Sequence, residues 1–368
     1  MKKIVVIVLA LSAVLFAEAK VKGNTGFGST LVESTESGVE FGGAYLFADV
    51  SGENEYVSAG GKIYYRWSSF EKLEELGQKL DLKKAYLKVR PSGSDIFEIA
   101  GGKLYSYYLP GNFFQLSEIY TGASRWGKTG LGAKGKITGF EFGASLPLSE
   151  SYLAFQNEWG LNAALVYDFS TIKNFIPLKL GASFIFDRAL QKDESYKNDF
   201  SSTVNLYYTS KVRGFVSNFN AAVSFSYNAE PFVASSIFKN VSNYKRTELK
   251  KANFLSLNLK SNFGKVAFTL EGEAGHSVEG SMIPLYAGSQ INLPVIGGLS
   301  FKPKIFYYAA LDSSDSEKSR QTVELYPRLW FTYEKWTFAA GYDFAFKQAD
   351  KELWNFEWKV PVLVEYKF

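Results

Sequence analysis

The chain has 368 residues, of which 46% are hydrophobic and 17% aromatic, and its mean hydropathy is -0.10. That mean is too low for a bundle of membrane helices, and a formal net charge of +4 gives no case for nucleic acid as a partner. Cysteine is absent, while 32 glycines accompany 32 phenylalanines and 23 tyrosines, so the composition favours strands joined by sharp turns.

Residues 1–19 have the pattern of an export signal. Lys2 and Lys3 precede an apolar stretch from Ile4 to Phe16, and Ala17-Glu18-Ala19 has the form of a cleavage site. The apolar stretch is shorter than the about 20 residues that a membrane anchor needs. We expect cleavage before Lys20 and a single mature domain over residues 20–368.

The mature chain is a succession of short extended segments. We predict about eighteen strands, although merging the pair near Leu178 and Phe200 would give sixteen. Their predicted starts lie near Val21, Val39, Tyr56, Lys83, Phe97, Gly127, Phe140, Leu161, Leu178, Phe200, Phe219, Ala252, Val266, Leu285, Leu299, Val323, Trp336 and Trp354.

The last of these segments shows the clearest alternation. Every even position from Trp354 to Phe368 is apolar, whereas odd positions carry charges such as Glu357, Lys359 and Lys367. The period of two recurs over 219–227, 299–308, 323–334 and 336–347, and gives each strand one apolar and one polar face. A soluble β-sandwich also alternates, but Trp and Tyr at the segment ends fit the aromatic girdle of an all-β transmembrane antiparallel barrel.

Connection lengths alternate as well. Short turns follow the second, fourth, sixth, twelfth, fourteenth and sixteenth strands. Longer connections follow most odd strands, namely Ser69–Leu82, Leu109–Trp126, Ser149–Gly160, Asp187–Asp199, Asn228–Lys251 and Asp312–Thr322. An outer-membrane barrel has this arrangement, with both termini at the short-turn rim. The first long connection holds Phe70–Leu80, whose helical spacing predicts a short helix against a neighbouring subunit or against its own rim.

The order of elements resembles that of the trimeric general-diffusion porins of Gram-negative outer membranes, over nearly all of the mature chain. The strongest local likeness is the pair Lys83–Val89 and Phe97–Lys103. The resemblance implies a homotrimer whose water-filled channels admit small hydrophilic solutes, and a third loop, here Leu109–Trp126, that folds inward to narrow each channel. The family's acidic Pro-Glu-Phe-Gly-Gly type motif is replaced here by the residues from Pro110 to Phe114.

The chain terminus carries a second likeness to the same proteins. Phe368, with Tyr366 and Val364 on the same face, is similar to the signal by which outer-membrane assembly machinery recognises its clients. The resemblance therefore implies two further contacts for the chain, that machinery and membrane lipid. We expect the mature protein to reside in the cell outer membrane.

The polar alternation gives candidate pore-lining residues. They form a basic arc on the third, fourth and sixth strands, joined by two charges of the third loop: Lys62, Tyr64, Arg66, Lys84, Tyr86, Lys88, Arg90, Lys134, Lys136, Glu118 and Arg125. An acidic arc follows on later strands, with Glu271, Glu273, Glu324, Glu334, Asp343, Glu357 and Glu365. Nearby cations dilute the acidic arc, so we expect a weak anion preference. The fifth strand's alternation places Lys103 on the lipid face.

Two other readings remain open. One is a structural or anchoring outer-membrane barrel with little conductance, and the other, less favoured, is an outer-membrane hydrolase. His276 is the only histidine and lacks the spaced serine and third group that nucleophilic catalysis requires. We expect no catalytic residues, no metal and no cofactor.

Overall fold

The computed structural model describes residues 20–35, 38–67, 80–93, 96–103, 129–148, 159–190, 196–210, 216–229, 251–315, 319–349 and 353–368. These residues form β-strands and turns, together with a single 3-10 turn at Phe169–Thr171. Within these ranges no helix has the length and apolarity to cross a membrane.

Eighteen strands make up the fold, and four of them are interrupted once. They are β1 (Lys20–Thr35), β2 (Gly38–Glu40 and Gly43–Glu53), β3 (Val57–Trp67), β4 (Leu80–Val89), β5 (Phe97–Lys103), β6 (Thr129–Ile137), β7 (Phe140–Leu148), β8 (Trp159–Asp168), β9 (Leu178–Leu190), β10 (Tyr196–Ser210), β11 (Val216–Ala229), β12 (Ala252–Phe263), β13 (Val266–Ser277), β14 (Met282–Ile296), β15 (Leu299–Phe301 and Lys304–Asp312), β16 (Arg320–Tyr326 and Arg328–Tyr333), β17 (Trp336–Gly341 and Asp343–Ala349) and β18 (Asn355–Lys367).

The strands close into an antiparallel up-and-down barrel. Each strand pairs with its neighbours in sequence, and β1 pairs with both β2 and β18, so the sheet has no free edge along this seam. The predicted fold class is confirmed, and of the two predicted strand counts eighteen is correct.

The two faces of the sheet differ in polarity. Cross-strand partners in register lie on the same face of the sheet, so a row of such partners across several strands shows the polarity of one face. One row across β10 to β13 is polar and buried, and consists of Asn205, Ser224, Ser256 and Glu273. The adjacent row is apolar and exposed, and contains Leu206, Val223 and Leu257. The barrel is therefore apolar outside and polar inside, the reverse of a water-soluble protein.

The two rims differ as the sequence predicts. At one rim lie tight turns such as 138–139, 264–265, 297–298 and 334–335, and the first and last strands have their terminal ends there. The connections 68–79 and 104–128 leave the opposite rim, and their residues lie outside those that the structure describes. The predicted helix at Phe70–Leu80 falls in the first of these two connections, except for Leu80, which is the first residue of β4.

Two local predictions are wrong. The connection Asp187–Asp199 is mostly strand, because β9 continues to Leu190 and β10 begins at Tyr196. Glu334, predicted to line the interior, lies instead in the turn between β16 and β17, with a φ of 49°. A two-residue hairpin turn requires such positive φ values, which polar residues reach more readily than β-branched ones.

The interruptions in β15 and β16 coincide with prolines. Pro303 separates the two parts of β15 and Pro327 those of β16, and proline has no N–H to give to the ladder. Their carbonyl groups remain paired: Ile291 donates to Pro303 at 3.1 Å, and Tyr342, at the break in β17, donates to Pro327 at 3.2 Å.

Candidate functional site

A cluster of three cations around one carboxylate lies on the inner face at β4 to β6. Glu98 of β5 is only 4% exposed, and its carboxylate is 2.9 Å from Nε of Arg90, 3.5 Å from Nζ of Lys134 and 3.8 Å from Nζ of Lys88. Register explains the convergence, since Glu98 pairs with Lys134 on β6, while Lys88 lies near the end of β4 and Arg90 directly follows that strand. Three cations thus surround one buried carboxylate on this part of the inner face.

A second group of cations lies over aromatic rings on β2 to β4. Nζ of Lys62 is 3.5 Å from Asp49 and is 5.6 Å and 5.5 Å from the ring centres of Phe47 and Tyr64. Arg66 lies 5.0 Å from the Tyr64 ring. Such contacts hold a cation in place for about 0.5–1 kcal/mol each at exposed sites, without cancelling its charge.

The structure describes fewer contacts for the remaining predicted site residues. Lys88 lies 5.1 Å from the ring of Tyr86, and Lys136 forms a 3.3 Å ion pair with Glu141 near the short-turn rim. Lys84 pairs in register with Lys62, but its side chain is outside the described part of the chain. Glu118 and Arg125, the two charges of the third loop, also fall outside it.

Diametrically opposite β4 in a barrel of eighteen strands lies β13, which carries two buried carboxylates. These are Glu271 and Glu273, and the Asn258 amide donates to Glu271 at 2.7 Å. The basic residues of β3 to β6, called the basic wall below, therefore face Glu271 and Glu273 across the lumen. Asp343 on β17 is neutralised locally, because Arg328 binds it through two hydrogen bonds of 2.9 and 2.6 Å and Lys359 lies 3.8 Å away.

The inner face also carries an aromatic strip that was not predicted from the sequence. It runs from β14 to β16 through Tyr286, Phe306, Tyr308 and Tyr326, with ring centres 5.4 to 6.4 Å apart. Phe306 and Tyr308 occupy the polar positions of the predicted alternation, and that is the signal that could have found them. Glu98 was missed too, although it stands between lipid-facing Phe97 and Ile99.

The predicted assembly signal lies at the closure seam. Phe368 exchanges backbone hydrogen bonds with Gly23, at 3.0 and 3.3 Å. The Tyr366 ring lies 4.8 Å from that of Trp336 on the outer face, and Val364 pairs with Phe27 and Phe338. Lys103 also follows the outer row predicted for it, since it pairs with Ala85, one position from inward-facing Tyr86.

No protein-family model and no curated protein matches the sequence. Solved structures do resemble the fold. The outer membrane protein OpdK of Pseudomonas aeruginosa is 10% identical, with 95% of this chain and 98% of that chain covered and a TM-score of 0.58. OccAB2 of Acinetobacter baumannii is 9% identical, with 95% and 98% covered and a TM-score of 0.59.

A third similar structure has a different role. Wzi of Escherichia coli, described as a carbohydrate-binding β-barrel involved in group 1 capsule assembly, is 11% identical, with 99% of this chain and 87% of that chain covered and a TM-score of 0.55. At such identities the likeness concerns the fold alone. The chain has the closed barrel fold of bacterial outer-membrane channel proteins, as the resemblance to porins implied.

Proposed function

We propose that this protein is an outer-membrane channel through which small hydrophilic solutes and ions diffuse passively, with a weak preference for anions. The observation that carries the proposal is the polarity of the closed barrel, whose exposed face is apolar and whose inner face is polar and charged. Such a surface is stable when lipid surrounds it and water fills its interior. A barrel of eighteen strands is wide enough to leave an aqueous channel.

Support for the anion preference comes from the charges around two buried carboxylates. Three cations surround Glu98 on the basic side, and Arg328 and Lys359 neutralise Asp343 on the acidic side. Rings and arcs of excess positive charge favour anions in a pore. The residues that we propose to line it are Lys62, Arg66, Lys84, Tyr86, Lys88, Arg90, Lys134 and Lys136, with Glu118 and Arg125 at the constriction.

The proposal extends to export and assembly. Residues 1–19 direct export and are removed, and the terminal Val364, Tyr366 and Phe368 are recognised by the outer-membrane assembly machinery. The mature barrels associate as a homotrimer in the outer membrane. Support for export and assembly comes from the sequence pattern and from the outward position of the terminal aromatic residues at the seam, and the homotrimer is what the resemblance to trimeric porins implies.

A second candidate is a structural barrel with little conductance. It is favoured by the burial of large side chains on the inner face: Phe254, Met282, Tyr286, Phe306 and Tyr308 are all buried. A wide, water-filled lumen would leave such side chains partly exposed.

Planar bilayers distinguish the two candidates. Purified protein should produce stepwise increases in current, and under a potassium chloride gradient the reversal potential should have the sign of a chloride preference. Absence of steps from correctly folded protein would favour the structural barrel. A cation-selective reversal potential would refute the assignment of the basic wall as the selectivity element.

A further inference from the structure

The connection between β8 and β9, residues 169–177, differs from four of the described connections at the short-turn rim. Its neighbours at 138–139, 264–265, 297–298 and 334–335 are two-residue turns of mostly polar residues and glycine. The β8–β9 connection is longer and presents three large apolar side chains. Ile172, Phe175 and Ile176 are 45%, 48% and 54% exposed.

This connection has a fixed shape. Ile172 donates to the carbonyl of Phe169 at 3.0 Å, and Phe175 donates to that of Ile172 at 3.1 Å. Asp168 accepts from the backbone of Ser170 at 3.0 Å, and Thr209 of β10 donates to Pro177 at 3.1 Å. Since the backbone is held at both ends and in the middle, the exposure of the apolar residues belongs to a defined conformation.

A continuous series of aromatic contacts joins this connection to the outer face of the barrel. The series begins at Phe140, an exposed residue of β7 that pairs with Tyr167 on β8. Ring centres are 4.5 Å apart between Phe140 and Tyr167, 4.9 Å between Tyr167 and Phe169, and 5.3 Å between Phe169 and Phe175. The apolar part of the connection is thus an extension of the apolar outer face.

The charged groups beside the connection lie on the opposite, inner face. Lys179 is 3.1 Å from Asp168 and 3.6 Å from Glu141, and the three form an ion-pair network. An amphipathic segment with aromatic and aliphatic residues on one side and ions on the other is suited to the boundary between a bilayer and water.

We infer that the β8–β9 connection is a membrane-interface anchor, in which Ile172, Phe175 and Ile176 enter the phospholipid leaflet at the short-turn rim. The inference rests on the membrane placement in the proposed function but not on conductance. Phospholipid is the occupant favoured by the aromatic series, because that series continues the face that lipid covers. A water-soluble partner or a second copy of the chain would need no such continuity.

The native absence of cysteine allows a direct test by spin labelling. Phe175→Cys carries the label at the anchor, Lys265→Cys carries it in a two-residue turn of the same rim, and Leu165→Cys carries it on the exposed outer face of β8. Each labelled protein is reconstituted in phosphatidylcholine vesicles, and collision rates with oxygen and with a water-soluble nickel chelate are measured. Ile176→Cys replaces Phe175→Cys if the latter fails to fold.

We expect the label at 175 to resemble that at 165, with an oxygen-to-nickel collision ratio several-fold above that at 265. A ratio at 175 equal to that at 265, with 165 still lipid-like, would overturn the anchor and leave the membrane barrel intact. Nickel access at 165 would instead contradict the membrane placement itself, and with it the anchor. If the label at 175 is shielded from both oxygen and the nickel chelate until the protein is diluted in the vesicles, the surface contacts a second copy of the chain. That result would overturn the inference.

Discussion

Glu98 holds an unusual position for a carboxylate, buried on the inner face among Lys88, Arg90 and Lys134. Its charge reduces the repulsion among the three cations and also reduces the positive potential that a passing anion meets. Removing one partner from a buried ion pair costs up to about 3–5 kcal/mol. Because Lys134 is nearly half exposed to the lumen, water compensates part of that cost here.

Glu98→Gln should make the channel more selective for anions. The amide keeps the shape of the side chain but removes one negative charge from beside the cations, so the reversal potential in a salt gradient should move toward the chloride limit. Thermal unfolding should show a loss of stability below about 3 kcal/mol.

The matched control is Glu334→Gln, which changes the net charge equally in the turn between β16 and β17. Its reversal potential should stay at the wild-type value. Equal shifts in the two variants would show that selectivity responds to net charge and not to the wall around Glu98.

Among the elements, β18 combines two roles: it closes the barrel against β1, and it ends in the proposed assembly signal. The two roles can be separated because they use different atoms. Closure at Phe368 uses backbone hydrogen bonds to Gly23, whereas recognition by assembly machinery would use the outward ring.

Phe368→Ala should therefore impair assembly in cells more than it impairs the folded barrel. We expect less barrel in the outer membrane, whereas purified protein refolded in detergent should lose far less than the about 3–5 kcal/mol of a fully buried phenylalanine. Phe356→Ala is the control, because Phe356 lies on the same strand and is 47% exposed against 46% for Phe368. If both variants assemble equally well, the terminal ring is not the signal.

Element positions could be predicted where the membrane constrains the sequence. In the segment that ends at Phe368, lipid requires one apolar face and water permits the other to be charged, so alternation marks the strand. Toward the long-loop rim this constraint ends. Residues 187–199 read as a polar connection, yet β9 and β10 run through most of them, because the backbone pairing of the two strands continues past the alternating segment.

The site was predicted in part for the same reason. Alternation gives the face of a side chain, so Lys88 and Lys134 were assigned to one wall. The convergence on Glu98 depends on the register of three strands. Residue spacing along a single strand does not reveal that register.

At the scale of the whole molecule, closure between β1 and β18 can be tested by cross-linking. Gly23 and Phe368 form a hydrogen-bonded pair, so the next pair in register, Asn24 and Lys367, is a non-hydrogen-bonded pair whose side chains lie close together. The double variant Asn24→Cys and Lys367→Cys should form a disulfide, because the separation suits that bond. Free-thiol titration and electrophoresis of the heat-denatured protein without reductant measure it.

Channel conductance should be the same before and after this disulfide is reduced, since the link fastens strands that are already paired. Asn24→Cys combined with Lys359→Cys is the control, because Lys359 pairs with Glu33, far along the same strands. A disulfide in the control, or none in the test pair, would contradict the register at the seam.

The prolines of β15 and β16 have a mechanical consequence. Pro294 and Pro361 also accompany register shifts, so the pairings from β14 to β18, and of β18 with the second half of β1, have repeated gaps in their cross-strand hydrogen bonds. The pairings of β10 with β9 and β11 continue without such gaps. Because compliance grows where backbone hydrogen bonds are fewer, we expect thermal breathing of the barrel to be larger on the proline side than at β9 to β11.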